Sequence, residues 1–180
     1  MLELLRPADM LPISGLPVPY EFYWILRQPA PLAGMAHPSP RTPWRALAEL
    51  GLHHVVCLTA PGPTYDPTPL TLAHATGLQD LYGGKFPRHP IREECLIHEA
   101  VHVVVSKLQN GEGVLVHCAG GTGRTGTVMG CVLRALGFST AEVVTHLDHL
   151  HKARGQPGWP ESPWQSEVVE RFQNDARLDR

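Results

Sequence analysis

An α/β fold is predicted for this 180-residue chain: a three-layer-like sandwich with a mostly parallel central sheet of about four to five strands flanked by helices. Three observations predict it. Short apolar, β-favouring runs alternate along the chain with segments of helical period. One such run, Val114-Leu115-Val116, feeds a glycine-rich loop that opens directly into a helical segment, Thr127-Val128-Met129-Gly130-Cys131-Val132-Leu133. Hydrophobic residues make up 43% of the chain, enough for a substantial core at a length typical of one domain.

The elements follow in order. Residues 1–19 hold four prolines and little periodicity, and predict an extended lead-in before a single domain over 20–180. Phe22 to Leu26 and Leu32-Ala33-Gly34 predict short strands. Thr42 is the expected N-cap of a helix with Pro43 at its first position, and Gly51 is its stop. His54 to Leu58 predicts a buried strand, Ala60 to Pro69 a proline-rich loop, and Thr71 to Leu78 a further strand. Ile97, Val101, Val104 and Leu108 share one face of a helix over 91–108 that Asn110-Gly111 terminates. Ser139-x-x-Glu142 is a capping box opening a helix to about Lys152. Ser162-Pro163-Trp164-Gln165 opens the last helix in the same way. There is no internal repeat and no low-complexity segment.

Charge narrows the function. The net charge is −2 with histidines neutral and the pI is near 6.6. No basic stripe suits nucleic acid and no polybasic patch suits a membrane. No apolar run reaches the ~18 residues of a membrane span. Met1-Leu2-Glu3-Leu4-Leu5-Arg6-Pro7 lacks the pattern of a secretory leader. The four cysteines, Cys57, Cys95, Cys118 and Cys131, are irregularly spaced, which predicts free thiols and a cytoplasmic monomer rather than a disulfide framework.

The most informative segment is His117-Cys118-Ala119-Gly120-Gly121-Thr122-Gly123-Arg124-Thr125-Gly126. Strand, glycine loop and helix form an oxyanion cradle, with backbone N–H groups turned inward and a helix N-terminus adding positive potential. A thiol at the floor of such a cradle is favoured as thiolate. Cys118 is the candidate nucleophile toward phosphorus. Arg124 offers a planar fork for two phosphate oxygens, and Ala119, Gly120, Gly121, Thr122 and Gly123 supply the backbone of the cradle. Thr125 is expected to donate a hydroxyl to the thiolate, and His117 to fix the loop through its ring nitrogens. A Walker-type loop is excluded, because no Gly-Lys-Ser/Thr follows the glycines.

These residues resemble the His-Cys-x-x-Gly-x-x-Arg-Thr-Gly pattern of cysteine-dependent protein tyrosine phosphatases, and among them the small atypical dual-specificity phosphatases. Residues 21–26, 32–35 and 51–59 resemble that family's opening strands and first helix, and 154–165 its tail beyond the loop. The resemblance implies a protein tyrosine phosphatase-like fold and a general acid on a mobile loop upstream of the cysteine. Asp80, before the glycines Gly83-Gly84, is the candidate, ahead of Asp66, Glu93 and Glu94. Some relatives place polar groups near the hydrolytic water where Ser162 and Gln165 stand here, although these two also explain each other as a cap. Arg154 is expected to pair with an acid, to face substrate, or to be a solvated helix-end residue. Cys57 is either a small apolar strand residue or a partner that traps oxidised Cys118 as a disulfide; Cys131 is assigned to the core.

His98-Glu99-x-x-His102 also fits a zinc-hydrolase helix. It lacks a third ligand at a familiar spacing, and solvated histidines are the preferred reading. No metal and no cofactor is expected. The uncharged loop argues for a substrate with one phosphate: phosphotyrosine on a phosphorylated protein or peptide, with phosphoserine and phosphothreonine admitted by a shallow pocket. Tyr82, Phe86 and Trp159 are candidates to line its entrance, with ordinary packing the equal alternative for each. The alternatives are a phosphatase of a small phosphorylated metabolite or lipid, and a catalytically weak phospho-binding module.

Overall fold

The computed structural model describes residues 2–172. Five strands form one sheet in the order β1-β2-β5-β3-β4: β1 Phe22–Leu26, β2 Leu32–Met35, β3 Leu52–Cys57, β4 Thr71–Ala75 and β5 Gly113–His117. β1 runs antiparallel to β2, and every other neighbouring pair is parallel. The helices are α1 Trp44–Glu49, α2 Pro90–Gln109, α3 Gly123–Ala135, α4 Thr140–Ala153 and α5 Pro163–Arg171. The predicted α/β sandwich is therefore the observed one.

Alternation along the strands builds three layers. Tyr23, Ile25, Val56, Val114 and Val116 pack into a core with buried residues of α2, α3, α4 and α5. Their strand neighbours Phe22, Trp24, Val55 and Leu115 face the other way, onto Leu47 of α1 and onto Leu5, Ile13 and Leu16 of the lead-in. The lead-in is tied down further. It carries a 3-10 turn at Pro7–Asp9, and the N–H of Leu5 donates to the carbonyl of Ile25 at 3.0 Å. Each fully buried leucine or valine contributes about 1.5–3 kcal/mol through removal of apolar area from water. β5, with strands on both sides and all five residues buried, is the most protected element.

Three boundaries differ from expectation. Thr42 does not cap α1: Pro43 occupies the N-cap position, and the Thr42 hydroxyl accepts instead from the N–H of Ser39 at 3.0 Å. β3 starts earlier, at Leu52, because Gly51 at φ 91° turns the chain straight into the sheet. β4 ends at Ala75, short of the expected Leu78. The α4 capping box forms as the sequence predicts, with Glu142 N–H on the Ser139 hydroxyl and Ser139 N–H on the Glu142 carboxylate.

Gly34 in β2 marks a tight approach. A Cβ built there overlaps the ring of Tyr23, and the hydroxyl of Tyr23 donates to the carbonyl of Gly121 at 2.6 Å. Gly34→Ala should therefore lower unfolding free energy by about 1–3 kcal/mol through overpacking, read as a lower urea midpoint at unchanged m-value.

Candidate functional site

The parallel strands β2, β5 and β3 end at one edge of the sheet, where Met35, His117 and Cys57 lie side by side. This C-terminal edge is where open α/β sheets form their binding crevices. Cys118 leaves β5 there, and the loop 118–122 curls into α3 at Gly123. The N–H of Gly121 donates to Sγ of Cys118 at 3.2 Å. Gly121 sits at φ 72°, and a Cβ on it would lie 2.5 Å from the carbonyl carbon of Met35, so both conformation and space require glycine.

A cavity of about 210 Å³ stands over the loop, lined by Cys118, residues of the cradle and Arg124, and also by Asp80, Tyr82 and Glu161. Oδ2 of Asp80 lies 3.6 Å from Nη2 of Arg124, and Oδ1 accepts from the N–H of Tyr82 at 3.0 Å. The segment carrying Asp80 is docked on the start of α5: Gly84 N–H donates to the Glu161 carbonyl at 2.9 Å, and the Ser162 hydroxyl to the Lys85 carbonyl at 2.7 Å. The other upstream acids are engaged elsewhere. Asp66 accepts from Thr68, Glu93 from the N–H of Gln79, and Glu94 pairs with Arg171 at 2.8 Å.

Behind the loop lies Arg154, and here the structure corrects the sequence reading. Arg154 neither pairs with an acid nor faces the cavity nor reaches solvent; it is 3% exposed. Its Nη2 donates to the carbonyl of Gly120 and its Nη1 to that of Gly121, both at 3.1 Å. Nε donates to the carbonyls of Pro19 at 3.0 Å and Tyr20 at 3.2 Å. The guanidinium also lies 4.4 Å from the centroid of the Tyr23 ring. Drawing the Gly120 and Gly121 carbonyls backward leaves their peptide N–H groups free to face the cavity. Burial pushes His151 down to about 3, with Arg154 adding to the effect. The neutral Nδ1 of His151 accordingly accepts from Nη1 of Arg154 at 2.8 Å.

The ring of His117 is hydrogen-bonded at both nitrogens. Burial pushes it down to about 4, so the ring is neutral at pH 7. Its Nδ1 lies 3.1 Å from the carbonyl of Cys118, and its Nε2 meets the hydroxyl of Tyr65. Burial raises Tyr65, with Cys57 adding to the rise, so the phenol keeps its proton and is the donor to Nε2. Nδ1–H is then left to donate to Cys118. Tyr65 was not singled out from the sequence; it lies in the proline-rich loop, stacked on Trp44, with no local pattern to mark it.

Other expectations fare differently. The Thr125 hydroxyl is fully buried and has no hydrogen-bond partner among the described residues, so the expected bond to the thiol is not made. Oε1 of Gln165 accepts from the N–H groups of Glu161 and Ser162, as a cap does. Its Nε2 is buried and unpartnered, 3.0 Å from where a Cβ on Gly123 would stand. Gln165 thus caps a helix and also presents a free donor beside the cradle. Tyr82 and Phe86 are exposed, at 59% and 63%. For Trp159 the structure shows packing: its ring is buried, and Nε1 donates to the carbonyl of Gly123 at 3.4 Å. Sγ of Cys57 contacts the Thr59 hydroxyl at 3.3 Å, and all four cysteines are free thiols. His98 and His102 are exposed on α2, with the His98 ring 5.0 Å from that of Phe172.

Comparison with known proteins agrees with this geometry. Residues 19–159 match the family model described as Swiss Army Knife protein, DSP-PTPase phosphatase domain. The chain belongs to that family, within the cysteine-dependent dual-specificity phosphatases. Three solved structures share its fold. Tk-PTP in its active form is 24% identical, with a TM-score of 0.56, over 78% of this chain and 90% of that one. The core catalytic domain of the PP-IP phosphatase SIW14 from S. cerevisiae is 17% identical, TM-score 0.57, over 82% and 84%. PTPMT1 in complex with PI(5)P is 18% identical, TM-score 0.55, over 78% and 88%. Among the phosphatase's described residues, no helix is long and apolar enough to cross a membrane.

Two expectations follow. Arg154→Met should lower the phosphatase's kcat/KM on an aryl phosphate by about 10²-fold by misplacing the loop, and destabilise the fold by about 1–3 kcal/mol for each carbonyl it orphans. Steady-state kinetics and urea unfolding of the same preparation check both. The second concerns pH. Burial pushes His117 and His146 down to about 4 and His151 to about 3, all below the ordinary 6.5. Unfolding therefore takes up protons at these sites at mildly acid pH. Their contribution is complete above pH 6.5 and is lost as pH falls through about 4. The urea midpoint should decline steadily over that window, and His146→Gln should flatten the decline.

Proposed function

We propose that the chain hydrolyses phosphomonoesters through a phosphocysteine on Cys118, acting on phosphotyrosine in proteins and also on phosphoserine and phosphothreonine. One observation carries this reading: the thiol, the cradle, Arg124 and Asp80 line a single cavity of about 210 Å³. The phosphate dianion would sit on the backbone N–H groups of residues 119–124, with the Arg124 fork on two of its oxygens. The Cys118 thiolate supplies an electron pair to phosphorus as the ester P–O bond breaks, and Asp80 passes its proton to the leaving oxygen. A water then attacks the phosphocysteine, giving its proton to Asp80. The S–P bond breaks, inorganic phosphate is released and the thiolate returns. Gln165 Nε2, free and beside the cradle, is placed to orient that water. His117 supports the loop from behind through the Cys118 carbonyl.

The charge of the cavity supports a substrate bearing one phosphate. Arg124 is the single cationic residue in its lining, set against two carboxylates, Asp80 and Glu161. A ligand with several phosphates would be repelled there, in contrast to what the names of SIW14, a PP-IP phosphatase, and of PTPMT1, bound to PI(5)P, indicate for those proteins. Four free thiols suit a reducing, cytoplasmic setting.

The test is hydrolysis of para-nitrophenyl phosphate and of a phosphotyrosine peptide, in dithiothreitol and EDTA. Turnover by the unaltered chain and none by Cys118→Ser is expected, and EDTA should leave the rate unchanged. Asp80→Asn should lower kcat by about 10²–10⁴-fold. Equal activity of Asp80→Asn would move the acid elsewhere. Faster turnover of a phosphoinositide or inositol polyphosphate than of the peptide would overturn the protein-substrate reading.

A further inference from the structure

The cavity over the cradle adjoins a second one. Tyr82 and Glu161 line both, and beyond them lies a cavity of about 420 Å³ walled by Pro157, Gly158, Trp159 and Pro160, with Asp148 also in its lining. That volume is in the range of a site for a small ligand or a single long side chain. Its walls are largely apolar and aromatic, and its two charged lining residues are both acidic.

The two acids differ in their partners. Asp148 is already matched: Lys152 Nζ lies 2.7 Å from Oδ2, and the N–H of Trp159 donates to Oδ1 at 3.3 Å. Glu161 is not. Its backbone N–H and carbonyl are engaged by Gln165 and Gly84. Its carboxylate takes no hydrogen bond and no ion pair among the described residues, though it is half-buried against the cradle; a Cβ on Gly123 would overlap Oε2. Burial and the neighbouring Asp80 both push Glu161 up, against a smaller pull from Arg124. Arg124 is already committed to Asp80 and to the phosphate. With a phosphate dianion in the cradle, the junction of the two cavities carries negative charge for which Glu161 has no ion-pair partner among the described residues.

We propose that the cavity beside Tyr82 and Trp159 is a substrate subsite for a basic side chain, arginine or lysine, next to the phosphorylated residue, with Glu161 as its counter-ion. The proposal rests on the protein-substrate reading and deepens it. An arginine or lysine has an apolar stem to lie along Pro157 and Pro160 and a cationic head for Glu161. Its head can also pack on the Tyr82 ring. A purely apolar side chain would fill the walls but leave a half-buried carboxylate unpaired. An acidic one would meet Glu161 and the phosphate together. Because Tyr82 and Glu161 border both cavities, a residue adjacent to the phosphorylated one is within reach of the subsite.

Three phosphotyrosine peptides, identical except for arginine, alanine or glutamate beside the phosphotyrosine, provide the test, with para-nitrophenyl phosphate as reference. The readout is the ratio of kcat/KM between peptides within one enzyme, so any change in basal rate cancels. The arginine peptide should exceed the alanine peptide by about 10-fold and the glutamate peptide should fall below it by a similar factor, on the order of one ionic contact. In Glu161→Gln the arginine preference should drop to about 2-fold or less, and in the unaltered enzyme it should shrink as salt rises. Tyr82→Ala should reduce the same ratio if Glu161→Gln folds poorly. Equal turnover of all three peptides, or a preference that survives Glu161→Gln, overturns the subsite and leaves the protein-phosphatase reading standing. Turnover of para-nitrophenyl phosphate with no turnover of any peptide overturns both.

Discussion

A buried guanidinium with no carboxylate partner among the described residues holds the glycine loop after β5 in shape. Arg154 is enclosed by backbone carbonyls, one aromatic face and a neutral histidine. Taking a charge out of water is expensive unless every donor is satisfied. Here the donors are satisfied by the carbonyls of Gly120 and Gly121, whose retreat leaves the amides on the other side of those peptides turned toward the cavity. The charge that would be a liability in an apolar core thereby orients an anion site. Tyr23 works with it, since its hydroxyl shares the Gly121 carbonyl and its ring receives the guanidinium face. Arg154 also clasps Pro19 and Tyr20, so the end of the lead-in is part of the loop's support.

The opposite flank of the loop is held by a second relay, from Tyr65 through His117 to the carbonyl of Cys118. The direction of that relay follows from burial. A histidine kept neutral has one donor and one acceptor nitrogen, and a phenol kept protonated has a hydrogen to give. Trp44 stacks on Tyr65, so α1 buttresses a residue in the loop beyond the next strand. Between these two supports Cys118 emerges from the most protected strand of the sheet, which limits its freedom before any ligand arrives.

The acid side of the cavity has a different character. Asp80 is 57% exposed in its side chain and meets Arg124 at 3.6 Å, a loose pair that exchanges easily with solvent or phosphate. Its segment is held by backbone contacts to residues 161 and 162 rather than by burial of its own. The cradle is thus held firmly from behind, while the Asp80 segment opposite it is held lightly. Glu161 lines both this cavity and its neighbour, and its carboxylate has no partner among the described residues.

Much of this was legible in the sequence, because the signals were local. The strand, glycine loop and helix around Cys118 follow from adjacent residues, as does the α4 capping box, and the alternation in β1 and β5 sorted their side chains between two layers. Cys118, the cradle and Arg124 meet because only five residues separate the cysteine from the arginine, and their pattern also named the family. Thr42 lost its predicted capping role to a local bond with Ser39. For Trp159 the sequence left entrance lining and packing open, and burial beside Gly123 decided for packing. Arg154, Tyr65 and Glu161 carry no local mark: the first two matter through partners tens of residues away and the third through the partner its carboxylate lacks, and their positions follow from how the sheet and helices close on one another. Sequence determined the chemistry that can occur at the loop, since nucleophile, fork and glycines are fixed by covalent neighbours. Tertiary structure alone decided which buried charge would brace that loop and which carboxylate would be left unpaired beside it, because desolvation and charge pairing depend on what surrounds a group in space, and that surrounding is assembled from the whole chain.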